Sequence, residues 1–189
     1  MGHRFNPENV QKLHEPKRQK LLPAAEIIRD FGIGRGDKVA DLGAGSGYFT
    51  IPIAKETGED VYAVDIEPKM LDVLKERATA DKVENIRYVV SDLEKIPLDN
   101  NTVDKMVAAF VLHEVENLSN ALDEMKRILK PGGNVLVLEW EAVDSEIGPP
   151  ISERIPSDGL VETLGRHGFD AKLSHPSEAH YTVVLTPVS

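Results

Sequence analysis

The chain has 189 residues, 41% of them hydrophobic and 29% charged, with a formal charge of -10, the balance of a soluble globular protein of ordinary domain size. No apolar run approaches the ~20 residues that cross a bilayer, and the opening MGHRFNPENV lacks the apolar stretch of a secretory signal, so a cytoplasmic location without membrane attachment is expected. Cysteine is absent, which excludes disulfides, thiolate metal sites and cysteine nucleophiles; the acidic charge argues against nucleic acid, whose phosphates need a broad basic surface.

Residues 1–20 run against the overall charge, with Arg4, Lys12, Lys17, Arg18 and Lys20 set against Glu8 and Glu15. A basic arm on an acidic body suits docking on its own domain, covering a ligand or meeting an anionic substrate; the alternative is a solvated terminus. Leu21, Leu22, Ala25, Ile28 and Phe31 recur at helical spacing, so a helix is expected over 18–31, ended by Gly32 and Gly34. Lys38 to Leu42 reads as a strand, and Gly43, Gly45 and Gly47 lead into a helix over about 48–57 that Gly58 closes. A second strand is expected at Val61–Asp65, then a helix from Pro68 to about 78, with proline in the first turn. Strands follow at 86–91 and 104–110, a helix over 119–129 that stops at Lys130-Pro131-Gly132-Gly133, and a strand at 135–140. A last helix over 158–167 precedes two strand-like segments, 169–174 and 181–186.

Strands that alternate with helices pair in parallel through right-handed crossovers, which brings every strand's C-terminal end to one edge of the sheet. Ligands bind at that edge, where the strand order reverses. The residues placed there are Asp41 and Gly43, Asp65, Ser91 and Asp92, Phe110 to Glu114, and Glu139 to Glu141.

The glycine spacing selects among nucleotide ligands. A dinucleotide fingerprint places its third glycine three residues after the second, and here that position is Tyr48. The pattern present is Asp41-x-Gly43-x-Gly45-x-Gly47. A carboxylate before the first glycine repels a phosphate and suits an ammonium group. Asp65 ends an apolar strand about 20 residues on, the spacing at which a carboxylate takes the two hydroxyls of a ribose. Asp92 suits an adenine exocyclic amine, with Leu93 donating its backbone N-H to the ring. Acidic residues ending strands are also common caps and turn residues.

Asp41 to Gly47, Asp65, Ser91-Asp92, Asp104 and Leu129 to Gly133 together resemble the successive motifs of the class I S-adenosylmethionine-dependent methyltransferases. Val64-Asp-Ile-Glu-Pro-Lys-Met-Leu71 and Ile96-Pro-Leu-Asp99 are most similar to the type 11 branch that contains the ubiquinone and menaquinone biosynthesis methyltransferases. The resemblance implies one Rossmann-like α/β domain over 1–189 with a doubly wound seven-stranded sheet, mostly parallel, whose β6-β7 hairpin makes the last strand antiparallel. It implies S-adenosylmethionine as cofactor, S-adenosylhomocysteine as product, and a small-molecule methyl acceptor. The cofactor residues it carries over are Asp41, Gly43, Ala44, Gly45, Gly47, Tyr48, Asp65, Ile66, Asp92, Leu93 and Phe110.

In that architecture His113, in Phe110-Val-Leu-His-Glu-Val115, falls where the methyl group points. An unperturbed imidazole is a serviceable base near neutrality, although a histidine here also suits holding the cofactor's amino acid or capping the next helix. Glu114 and Glu116 stand beside it to orient it, bind a cationic acceptor or lie in solvent. Trp140 is either a wall of the acceptor pocket or a core residue, and His175 and His180 read as surface. No spacing suggests a metal ligand set. Asn-Pro-Pro-Tyr and Asp-Pro-Pro-Tyr, which grip a planar amine in nucleic-acid methyltransferases, are absent after the fourth strand. The arm 1–20 and the proline-restricted segment 143–156 are expected to close over the site, with Arg4, Phe5, His14 and Arg18 as acceptor contacts. A noncatalytic adenosylmethionine-binding protein and a nicotinamide-dependent oxidoreductase are the alternative functions, and monomer and homodimer both stay open.

Overall fold

The computed structural model describes residues 20–145 and 147–188. The helices are α1 (Ala24–Asp30), α2 (Thr50–Thr57), α3 (Pro68–Ala80), α4 (Leu118–Ile128) and α5 (Ser157–Arg166). The strands are β1 (Val39–Leu42), β2 (Val61–Asp65), β3 (Ile86–Val90), β4 (Val103–Ala109), β5 (Leu129–Trp140), β6 (Phe169–Ser177) and β7 (His180–Pro187). They form one sheet in the order β3-β2-β1-β4-β5-β7-β6. β3, β2, β1, β4 and β5 pair in parallel, whereas β7 is antiparallel to both β5 and β6. The chain therefore grows outward from β1 to β3, crosses back, and resumes at β4. The switch point lies between β1 and β4, and a ligand crevice opens at their C-terminal ends.

Alternating burial explains why the sheet carries helices on both faces. Val135, Val137, Met106 and Ala108 pack with Leu122 and Met125 of α4 and Leu160 and Leu164 of α5. On the other face Leu136, Leu138 and Val107 pack with Ile28 of α1, Ile53 of α2 and Leu74 of α3.

Three local features depart from the sequence reading. The α-helix α1 begins only after Pro23, which takes the extended N-cap conformation; proline inside a helix would lack the donor and clash with the preceding turn. Lys130 to Gly133 do not separate helix from strand. They form an irregularity within β5, where Leu129 already pairs with Val103 before the register shifts to Lys105 and Asn134. A Cβ on Gly133 would lie 2.6 Å from the Asp104 carbonyl, so glycine lets the two strands close up there. The β6-β7 hairpin is tighter than expected, running to Ser177 and restarting at His180.

Candidate active site

The turn after β1 places Gly43, Gly45 and Gly47 at φ +71, +52 and +86, conformations that side chains with a Cβ rarely adopt. Their reasons differ. A Cβ on Gly43 would fall 2.5 Å from Val111, and one on Gly47 2.0 Å from Cδ1 of Leu74. Those two glycines admit neighbouring parts of the protein. A Cβ on Gly45 would meet nothing closer than Met70 Cε at 3.4 Å, so Gly45 is the bare stretch of backbone that a ligand can approach. The turn is held from below by hydrogen bonds from the Gly43 and Ala44 N-H groups to the Val64 carbonyl at 2.8 and 3.0 Å. Arg77 of α3 holds it from outside, donating to the Ser46 carbonyl at 2.5 Å.

Asp65 joins this turn to the next. Its Oδ2 accepts from the Gly45 N-H at 2.7 Å and its Oδ1 from the Glu67 N-H at 2.9 Å. Each carboxylate oxygen keeps a second lone-pair direction, so the group is fixed in place and still able to accept from a diol. Burial raises its pKa, and the N-H groups of Glu67 and Gly45 offset part of the rise. Ile66, the next residue, is 41% exposed, an apolar surface at the sheet edge.

Asp41 does not present the open carboxylate that its position suggested. It is 2% exposed and its Oδ2 accepts from Thr50 Oγ1 at 2.5 Å, behind the glycine turn at the start of α2. Burial raises its pKa to about 7; the Thr50 hydrogen bond opposes the rise and the charge of Asp65 adds to it. Asp41 therefore braces the turn and holds a proton over much of the acidic range. Asp92 is exposed, with Oδ1 accepting from the Glu94 and Lys95 N-H groups at 2.9 and 3.0 Å, a side-chain turn that sets the course of the loop after β3. Leu93 and Ala44 are buried. The Tyr48 hydroxyl donates to the Leu22 carbonyl at 2.5 Å, tying the glycine turn to the segment before α1.

Across the switch point, the ends of β4 and β5 bring His113 to Glu139. His113 Nδ1 lies 2.9 Å from Glu139 Oε2, and its side chain is only 5% exposed. Glu114 is farther, 3.9 Å from Nε2, and Glu116 is exposed. Glu139 rather than Glu114 or Glu116 thus orients the imidazole. On the opposite side of β5, Trp140 packs against Phe110 and His180 with ring centroids 5.1 and 4.3 Å away. Phe110 takes φ +58, a sparsely populated backbone conformation for an aromatic residue. His180, read as surface, is buried instead: its pairing with Trp140 across β5 and β7 turns it toward the indole. Trp140 is itself buried, because the segment after β5 lies on it. A Cβ on Gly148 would come within 2.8 Å of the indole, and the Arg154 guanidinium sits 5.4 Å from its centre while donating to the carbonyls of Glu141, Val143, Ile147 and Pro149. The acceptor contacts expected at Arg4, Phe5, His14 and Arg18 lie outside the described residues.

Arg154, Arg77 and Thr50 were not foreseen as site residues, and Glu139 was placed at the sheet edge without a partner. Thr50 had a signal nearby, since it closes the glycine segment; the partners of the others depend on strand register and helix placement.

The family described as "Methyltransferase domain" matches residues 40–137, a span that contains the glycine turn, Asp65, Asp92 and His113. The chain belongs to that family. The Ubiquinone/menaquinone biosynthesis C-methyltransferase UbiE of Idiomarina loihiensis is 40% identical over 115 residues, 58% of this chain and 45% of that protein. The demethylmenaquinone methyltransferase of Staphylococcus aureus is 36% identical over 115 residues, 60% of this chain and 47% of that protein. The chain spans less than half the length of these curated relatives. A SAM dependent methyltransferase from Aquifex aeolicus superposes with a TM-score of 0.90 at 28% identity, over 96% of this chain and 98% of that one. The methyltransferase domain thus has the class I fold, and its residues fit S-adenosylmethionine. Gly45 supplies bare backbone, Asp65 is pinned with lone pairs to spare, and Ile66 offers apolar surface beside them. No helix among the described residues is long and apolar enough to cross a membrane.

Proposed function

We propose that the chain is a methyltransferase that moves a methyl group from S-adenosylmethionine to a small-molecule acceptor. The observation that carries this reading is the pairing of Gly45 and Asp65 at the switch point: a backbone cradle without a side chain, locked at 2.7 Å to a carboxylate that still has lone pairs to offer. Bound there, S-adenosylmethionine supplies a methyl group already activated on a sulfonium, so the residues chiefly position reactants and exclude water. Asp65 accepts from the ribose, Gly45 lies against the amino-acid end, Ile66 flanks the adenine, and Asp92 stands at the rim with the backbone N-H of Leu93 beside it. His113, placed beyond the glycine turn at the end of β4, takes the proton of an acceptor that carries one. The names of the relatives point to a demethylmenaquinone-like acceptor. The segment 147–156, which covers Trp140, borders the acceptor side of the site; the arm expected to close over it lies outside the described residues apart from Lys20.

Calorimetric titration with S-adenosylhomocysteine tests the cofactor, with NAD as control. The expected result is a dissociation constant on the order of micromolar, about -8 kcal/mol, for S-adenosylhomocysteine alone and its loss in Asp65→Ala. Binding of NAD in its place would overturn the reading. Release of S-adenosylhomocysteine in the presence of a demethylmenaquinol analogue separates an enzyme from a protein that only binds the cofactor.

A further inference from the structure

Glu139 is fully buried at the end of β5, where a carboxylate is costly unless its lone pairs are met by donors. Its oxygens have four. Oε1 accepts from the Leu112 and His113 N-H groups at 2.9 and 3.3 Å. Oε2 accepts from the Trp140 N-H at 3.2 Å and lies 2.9 Å from His113 Nδ1. An amide oxygen would serve the Leu112 and His113 N-H groups as well, but its NH2 in place of Oε2 would accept from neither the Trp140 N-H nor the imidazole. The imidazole is the partner that gives an ionised side chain a reason to be there.

The surroundings bear on which nitrogen carries the proton. Glu114 Oε1 lies 3.9 Å from Nε2, and Glu153, from the short 3-10 turn Ile151–Glu153, acts on the ring through its charge. Tyr181 of β7, held well above the usual phenol range by burial and by Glu139 and Glu141, stays protonated and donates to the Ile155 carbonyl at 2.8 Å. Arg154 points away, its guanidinium donating to the carbonyls of its own segment. Burial alone would lower the pKa of His113; the hydrogen bond and charge of Glu139, followed by Glu114 and Glu153, outweigh it and the net shift is upward.

We infer that Glu139 is a positioning residue: it holds His113 in the Nδ1-H tautomer, which leaves the Nε2 lone pair to receive a proton, and it stabilises the imidazolium that results. In the proton transfer, the acceptor's bond to hydrogen breaks, its electron pair stays on the acceptor atom, and a new N-H bond forms at Nε2. The positive charge spreads over the ring and is met by Glu139. That the proton comes from a methyl acceptor rests on the methyltransferase reading; the tautomer does not.

The test is an NMR titration of the imidazole nitrogens in the full chain, with His113→Gln to assign the signals and Glu139→Gln as the probe. Gln keeps an oxygen for the Leu112 and His113 N-H groups. The expected result is a neutral Nδ1-H tautomer at His113 with a midpoint above the ordinary 6.5. In Glu139→Gln, where burial acts with less opposition, the midpoint should fall by about one pH unit or more. S-adenosylhomocysteine affinity should stay within about threefold of wild type. An Nε2-H tautomer in the wild-type protein, or a midpoint that does not move in Glu139→Gln, would overturn the inference; the wild-type tautomer decides it even where the variant fails to fold. Failure of the wild-type protein to bind S-adenosylhomocysteine counts against the methyltransferase reading, and the tautomer is read independently of it.

Discussion

The two sides of the switch point are assembled by different means. On the β1-β2 side, Asp41, the glycine turn, Thr50 and Asp65 belong to one strand-helix-strand unit, and short hydrogen bonds within that unit hold them. On the β4-β5 side, His113, the adjacent pair Glu139 and Trp140, Arg154 and His180 come from four places in the chain, and strand pairing together with the packing of the segment after β5 makes them neighbours. The first side is a rigid local device that needs the rest of the fold only as a support. The second exists only when β4, β5 and β7 are in register.

The comparison can be broken most severely at Gly47. Gly47→Val places a β-branched residue at φ +86 with its Cβ 2.0 Å from Cδ1 of the fully buried Leu74. A loss of about 5 kcal/mol is expected, enough to abolish cooperative unfolding near physiological temperature. A thermal melt close to that of wild type would show that the turn is more pliable than a rigid device can be.

Asp41 gives the next largest effect, and it depends on pH. Its folded pKa of about 7 lies above the ordinary 3.8, so between those values the folded state binds more protons than the unfolded one. Stability is therefore lost as pH rises from about 4 to 7 and is constant above. Asp41→Asn keeps an acceptor for Thr50 and removes this loss. The variant should gain on wild type by up to about 4 kcal/mol across that window, measured by denaturant unfolding at pH 4 and pH 7.5. Equal pH dependence in the two proteins would mean that Asp41 ionises freely in the fold.

Arg154→Ala sharpens the contrast from the other side. Removing the guanidinium leaves the carbonyls of Glu141, Val143, Ile147 and Pro149 without their shared donor and uncovers Trp140. A destabilisation of about 2 kcal/mol is expected, together with a red shift in the fluorescence of Trp140, the only tryptophan of the chain. S-adenosylhomocysteine binding should stay unchanged; a large loss would show that the two sides are not independent.

Ile66→Ala is the mildest change. The side chain is largely exposed, so folding should be nearly unaffected. S-adenosylhomocysteine affinity should drop by roughly 1 kcal/mol, about fivefold, from the apolar contact removed.

The sequence by itself determined the alternation of strands and helices, the glycine turn, and which residues stand at the C-terminal ends of the strands. Those features depend on short-range patterns: apolar periodicity, glycines where φ is positive, and carboxylates at strand ends. The same locality explains where that reading failed. Asp41 and Asp65 were legible as strand-end residues at the crevice edge, but not the inward turn of Asp41 to Thr50, because a strand-end position says which edge a residue occupies and not how deeply its carboxylate is buried. Lys130 to Gly133 looked like a helix terminator, and only pairing with β4 drew it into a strand. His180 looked like a surface residue beside a turn, and its burial followed from the β5-β7 register that sets it on Trp140. What the tertiary structure alone decided was the partnership of His113 with Glu139: two residues far apart in sequence, one buried charge, and a register that makes each the answer to the other's desolvation.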